Sequence, residues 1–252
     1  REKEFARIHK MGIKGVKIDF FGGDGQSVIQ YYIDILKDAA KYELMVNFHG
    51  ATLPRGWART YPNLMTTEAV RGFENVSFQQ AEADREAEIC ATVPFARNLF
   101  DPMDYTPTNL YKINDKIKRK TTSAFELALS VVFLSGIQHY AESPEGMAHV
   151  PENVRQFLRD VPSKWDDVKF IEGYPGKYLV LARRAGNKWY VAGINSGPIQ
   201  KQLSFSTIPF GRKSTMITNG EGQLDFRSET GATTKNREIA MPSQGGFVMV
   251  IE

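Results

Sequence analysis

Two rhythms of apolar and polar residues divide the chain near residue 165. Before it, short apolar runs alternate with stretches in which apolar residues recur every three to four positions. That predicts strands at 15–21 (GVKIDFF), 44–49 (LMVNFH), 64–70, 95–99 and 135–141. It predicts helices at 27–42, capped by Ser27, and at 81–93, 121–133 and 152–160. The opening REKEFARIHKMG reads as the last turns of a helix, so the chain is expected to be a piece of a longer protein. After residue 165 only short alternating runs occur: YLVLARRA, KWYVAGIN, KQLSFST, KSTMITNG and FVMVIE. Gly and Asn turns separate them, and Gly186-Asn187 reads as the turn of a hairpin.

Strand–helix alternation with apolar strands implies parallel β/α units, either a doubly wound sheet or a barrel. A complete barrel takes ~250 residues, so the part before Trp165 holds about five units. The expected fold class is α/β: the C-terminal part of a (β/α)8 barrel over residues 1–164, then a small antiparallel β-sandwich over 165–252.

Composition narrows the function. The 42% hydrophobic and 24% charged residues support a packed core. With 32 basic against 29 acidic residues, scattered, no basic patch points to nucleic acid. The single Cys90 excludes an internal disulfide and a cysteine-built zinc site, and the four histidines form no HExxH pair. No run approaches the ~20 apolar residues of a membrane span. No phosphate-binding glycine motif follows a strand; GGDG at 22–25 is too short and lacks a lysine.

Polar residues gather instead at the carboxyl ends of the expected strands: Asp19, His49, Glu68 and Asp104. In a barrel or an open sheet alike, that end carries the chemistry. Lys17 and Asp19, two apart, share one face, as do Asn47 and His49. Gly50 marks a close approach of a ligand or another backbone. Glu68 and Glu74 lie near enough to share a calcium ion, or for one to have its pKa raised and serve as a general acid. Phe20, Phe21, Trp57, Tyr61, Phe73 and Tyr105 lie in or beside these loops, and aromatic faces with a carboxylate pair fit a glycosidase.

The stretches GVKIDFF, VNFHGATLPRGWARTYPNLMTTEAVRGFE and TVPFARNLFDPMDYTP resemble glycoside hydrolase family 97, and FIEGYPGKYLVLARRAGNKWYVAGI resembles the start of that family's C-terminal β domain. The resemblance implies an N-terminal β-sandwich and first barrel units outside this chain. It implies a retaining α-galactosidase, because Asp19 stands where retaining members carry the nucleophile. Gly50 stands where inverting members carry a glutamate. It makes Glu74 the general acid and Glu68 and Glu74 calcium ligands, completed by a ligand from the N-terminal domain. Lys17, Asn47 and His49 would bind sugar hydroxyls, and Trp57 would be a lid or subsite residue. The implied partner is an oligosaccharide with a terminal galactose, and the implied setting is periplasmic or secreted. Rival readings are a related retaining glycosidase acting on L-arabinopyranosides, a non-catalytic carbohydrate-binding or inactive fragment, and a calcium-dependent structural domain.

Overall fold

A computed structural model describes residues 1–204, 213–232 and 238–252. The chain opens with α1 (Glu2–Lys10), followed by β1 (Gly15–Ile18), α2 (Gln26–Lys41), β2 (Met45–Phe48) and β3 (Leu64–Thr67). The three strands form a parallel sheet in the order β1-β2-β3, with Lys17 opposite Asn47 and Asn47 opposite Thr66. Val46 and Phe48 pack against Tyr32, Ile35 and Leu36 of α2, while Lys17 and Asn47 take the other face. The period of two along each strand thus separates an apolar back from a polar front. The start of α2 departs from expectation. Its N-cap is Gly25, with no side-chain cap, so Ser27 lies inside the first turn.

Next come α3 (Phe73–Phe78), α4 (Gln80–Thr92) and α5 (Arg97–Phe100). The strand expected at 95–99 is therefore absent: Val93–Phe95 is a 3-10 turn with Pro94 at its start, running into α5. Short apolar runs do not distinguish strand from helix, and proline presets the turn. Arg97 fixes the helical course by donating to the carbonyls of Thr67, Asp101 and Pro102. The barrel wall continues instead at Met103, which bridges Thr67 in parallel and donates to Leu134 O at 2.8 Å. Ser135 closes on Thr66, Oγ to Oγ1 at 2.9 Å. The strand expected at 135–141 is absent, and only Ser135 reaches the wall. A Cβ at Gly136 would stand 2.8 Å from Met65 O, and the Gln138 amide folds back onto Phe133 O.

Between these wall segments and the β region runs α6 (Ser123–Val132), followed by α7 (Pro144–Ala148) and α8 (Glu152–Asp160). All of α6 is buried. Thr122 caps it, accepting from Phe125 N. Beneath it lies a closed polar group. Glu86 of α4 and Glu126 of α6 are fully buried, and Thr121 Oγ1 sits 2.6 Å from Glu126 Oε1 and 3.3 Å from Glu86 Oε2. Arg119 lies beside them, donating to Asn109 O, Tyr111 O and Ser123 Oγ.

The β region comprises β4 (Asp167–Tyr174), β5 (Tyr178–Ala185), β6 (Lys188–Asn195), β7 (Lys201–Ser204), β8 (Ser214–Asn219), β9 (Phe226–Gly231), β10 (Glu238–Met241) and β11 (Gly246–Ile251). A six-stranded antiparallel sheet runs β4-β5-β6-β11-β8-β9, and β7 and β10 pair as a second layer. The β5–β6 hairpin turns at Gly186, whose φ of 57° suits glycine. The KQLSFST run is a strand to Ser204; its residues 205–207 lie outside the described residues. Sequence patterning omitted β4, β9 and β10, which carry many polar or exposed residues. Val180, Ala182, Val191 and Phe247 face Leu203 and Met241 of the second layer. Leu179, Leu181, Ala192 and Val248 join the cluster built around α6. Burial on both faces explains the unbroken apolar run in YLVLA. The fold is thus part of a (β/α)8 barrel followed by an all-β domain. No helix among the described residues is long and apolar enough to cross a membrane.

Candidate active site

Adjacent parallel strands set the residues that follow them side by side. Asp19 follows β1, His49 and Gly50 follow β2, and Glu68 follows β3. Backbone bonds extend the ladder past the strand ends: His49 N donates to Ile18 O, Glu68 N to Phe48 O and Phe21 N to Gly50 O, at 2.8, 2.8 and 3.0 Å.

Asp19 and Gly50 are fitted to each other. Asp19 Oδ1 accepts from Phe20 N at 2.7 Å. A Cβ on Gly50 would stand 2.6 Å from that same oxygen and 2.9 Å from Phe20 N, and Gly50 has a φ of 50°. A side chain at position 50 therefore conflicts with the carboxylate at position 19 in both space and backbone angle.

Gly50 N donates to Glu68 Oε2 at 2.7 Å. Glu74, in the first turn of α3, is brought in because Gly72 lies flat on Tyr105, where a Cβ would meet Tyr105 O at 2.6 Å. Ligand atoms of His49, Glu68 and Glu74 lie within 4.8 Å of one another. Asp19, Glu68 and Glu74 thus line one rim, linked through Gly50 and His49.

Under the rim sits Asp104, whose side chain is 0% exposed. Its Oδ2 accepts from Asn47 Nδ2 at 2.6 Å and meets His49 Nε2 at 2.7 Å and His139 Nδ1 at 2.9 Å. Lys17 Nζ lies 3.8 Å away. Burial alone would raise the Asp104 pKa; hydrogen bonds from His49, Asn47 and His139 outweigh it and bring the pKa down to about 2. Asp104 is therefore the fixed negative charge of this site.

Sequence reasoning placed Asp104 at a strand end without a role, and did not single out His139. Asp104 lies 57 residues from Asn47 and 35 from His139, and no local spacing reports that convergence. Asn47 and His49, expected to bind sugar hydroxyls, are each 3% exposed and spend a nitrogen on Asp104. Lys17 stays open to solvent, but its ion pair is with Asp104. Trp57, expected as a lid or subsite residue, is buried with its ring 5.2 Å from Tyr32, behind the sheet. Gly56, at φ 76°, turns the chain so that the following 3-10 turn lays the indole there. Of the aromatic residues near these loops, only Phe20 is exposed; Phe73 and Tyr105 belong to the core.

Residues 1–70 match the family model for glycoside hydrolase 97, and residues 164–252 match that of the glycosyl-hydrolase 97 C-terminal, oligomerisation domain. The chain belongs to glycoside hydrolase family 97. It is similar to a probable retaining alpha-galactosidase of Streptomyces bingchenggensis, 38% identical over 78% of the chain. It is also similar to the retaining alpha-galactosidase of Bacteroides thetaiotaomicron, 34% identical over 96% of the chain. It spans 29% and 39% of the lengths of these relatives. A solved β-arabinopyranosidase superposes with a TM-score of 0.93 at 36% identity, over 99% of this chain and 41% of that one.

Within this family 97 chain, the rim suits a cation. Two carboxylates stand close together, and the described hydrogen bond to Glu68 comes from Gly50 N. Two carboxylates offer up to four oxygens, whereas calcium takes 6–8, so Glu68 and Glu74 would form one side of a calcium site.

Proposed function

We propose that the protein is a retaining, exo-acting glycosidase that cleaves terminal α-galactosides through an ester to Asp19. The observation that carries this reading is the mutual fit of Asp19 and Gly50. The Asp19 carboxylate fills the space that a side chain at position 50 would need, so a glutamate base there and this aspartate exclude each other. The names of the two curated relatives support the same reading.

In the first step an Asp19 oxygen bonds to the anomeric carbon as the glycosidic C–O bond breaks. The Glu74 carboxyl proton passes to the leaving oxygen. In the second step Glu74, now a carboxylate, takes a proton from water. The water oxygen bonds to the anomeric carbon, and the ester C–O bond breaks to return Asp19. Two inversions give retention, which calls for carboxyl groups ~5–5.5 Å apart. Lys17, open to solvent beside Asp104, donates to a sugar hydroxyl. Glu68 and Glu74 would hold calcium, whose charge would orient sugar hydroxyls and stabilise negative charge at the rim. A periplasmic or secreted setting belongs to the same proposal, on the family resemblance.

Proton NMR of the first sugar released by the intact protein tests the reading. Initial α-galactose is expected; initial β-galactose overturns both the retention and the role of Asp19. Asp19→Gly should abolish turnover, and azide should restore cleavage of an activated aryl galactoside, giving the β-galactosyl azide. Similarity to the β-arabinopyranosidase supports a second reading, in which L-arabinopyranosides, which share much of the galactose ring's shape, are the better substrates. Comparing kcat/KM for the two aryl glycosides decides between them.

A further inference from the structure

We infer that His139 is a sugar-binding residue of this site, its unprotonated Nε2 accepting a hydrogen bond from one substrate hydroxyl, and that Asp104 is the positioning residue that fixes this arrangement. The inference rests on the glycosidase reading and adds a contact to it.

Asp104 meets both histidines through a single oxygen, at 2.7 Å for His49 Nε2 and 2.9 Å for His139 Nδ1. An ionised carboxylate only accepts, so each ring must present an N–H to it. In a neutral ring that choice fixes the tautomer. His49 presents an N–H to Asp104 at Nε2, and its Nδ1 faces Glu68 Oε2, 3.5 Å away. A neutral His139 with its proton on Nδ1 keeps a lone pair on Nε2. The carboxylate is buried, yet the His139 side chain is 41% exposed. No described hydrogen bond uses its Nε2. One edge of the ring is thus held from below while the other stands open.

Lys17 flanks Asp104 on the same side, with Nζ 3.8 Å from Oδ2 and 40% of its side chain exposed. Lys17 can only donate, and His139 in this tautomer can only accept at its outer nitrogen. Such a donor–acceptor pair at the front of β1–β3 matches a ring bearing neighbouring hydroxyls, one accepting from Lys17 and the other donating to His139. The polar row Lys17, Asn47, Thr66 and Ser135 runs beneath it across the sheet. An aliphatic or aryl ligand would leave these groups unpaired; a sugar satisfies them.

The test pairs spectroscopy with kinetics on the intact protein. Among the four histidines, nitrogen-15 spectra should show an Nε2–H for His49 and an Nδ1–H with unprotonated Nε2 for His139, assigned with His49→Gln and His139→Asn. Adding D-galactose should shift the His139 Nε2 resonance. Asp104→Asn should abolish the fixed Nδ1–H signature of His139. An Nε2–H tautomer for His139, or an Nε2 signal indifferent to galactose, overturns the proposal.

His139→Asn keeps an N–H aimed at Asp104 but removes the outer acceptor. It should fold with the wild-type melting temperature and lower kcat/KM by about 10- to 100-fold, the scale of one such hydrogen bond. His139→Gln, which places an amide near the outer position, should recover part of that loss. Against monodeoxygalactosides, the loss from His139→Asn should vanish for the single substrate lacking the hydroxyl that His139 binds. Equal losses for every deoxy substrate overturn the role of His139 while leaving the glycosidase standing. Absence of wild-type turnover on every glycoside sinks the underlying reading and this proposal with it.

Discussion

The buried pair Glu86 and Glu126 should behave as one acid and one carboxylate, with the proton fixed on Glu86. Thr121 has a single hydroxyl hydrogen, and Glu126 Oε1 at 2.6 Å is its nearer acceptor. Toward Glu86 Oε2, at 3.3 Å, the same oxygen can only accept, so Glu86 must supply its own proton. Burial, then the charge of Glu126, raises the Glu86 pKa well above the carboxylate range. Burial leaves the Glu126 pKa raised too, but less so, because Arg119, Thr121 and the backbone at Asn109 and Thr108 draw it part of the way back. The expected state is Arg119 cationic, Glu126 anionic and Glu86 neutral. Glu142, bound by Leu110 N and Tyr111 N, adds a second negative charge acting on Arg119. Cys90 and Tyr105, whose own pKa values are raised, stay neutral beside Glu86.

Glu86→Gln replaces an acid O–H by an amide N–H and should cost about 0–1 kcal/mol. The double substitution Glu86→Gln/Glu126→Gln removes both carboxylates of the pair and should cost about 3–5 kcal/mol, the scale of breaking a buried ion pair. Glu126→Gln alone should fall between, because Glu86 can ionise in its place. A group whose folded pKa is raised stabilises fully below its unfolded pKa and loses that contribution as pH climbs toward the folded value. From about pH 4.3 upward, Glu86 should therefore subtract about 1.4 kcal/mol per pH unit until its folded pKa is reached. Urea denaturation followed by far-ultraviolet circular dichroism from pH 5 to 8 measures both effects. Glu86→Gln should flatten the wild-type slope. If it instead costs as much as the double substitution, or leaves the slope unchanged, the proton assignment is wrong.

Gly50→Ala should lower kcat by about 100-fold through displacement of Asp19. Its strained backbone should cost about 1–2 kcal/mol, read as a modest fall in melting temperature. Isothermal titration of the intact protein with calcium should lose affinity on Glu68→Gln and again on Glu74→Gln; unchanged binding in both variants removes calcium from this rim.

Strands with apolar backs were legible because a period of two survives where one face is buried, as in β1 and β2; β5 and β6, buried on both faces, were legible as apolar runs. The segment 93–100 was not, since PFARNLF suits strand and helix equally and Arg97's bonds to distant carbonyls decide between them. The rim carboxylates could be read from their places after strands. Their support could not: Asp104 draws on residues from three separate segments, and a lone aspartate in DPMDY carries no mark of that. The burial of Trp57 was hidden for the opposite reason. A loop tryptophan near strand ends looks available, and only the turn at Gly56 shows that it is spent on Tyr32.

Helix α6 touches both halves of the molecule, and Arg183 of β5 closes its last turn by donating to Val131 O and Val132 O at 2.8 and 3.1 Å. Two residues later the same chain reaches Leu134, whose carbonyl holds Met103 beside Asp104. The sandwich therefore acts as a buttress rather than an appendage. Grafting a different C-terminal domain onto this barrel segment would strip one wall from α6 and loosen the anchorage of the residue on which both histidines depend. Exchange of modules across residue 165 should be far harder than the clean change of rhythm in the sequence implies, and an evolutionary or engineered swap would have to carry α6 along with its sheet.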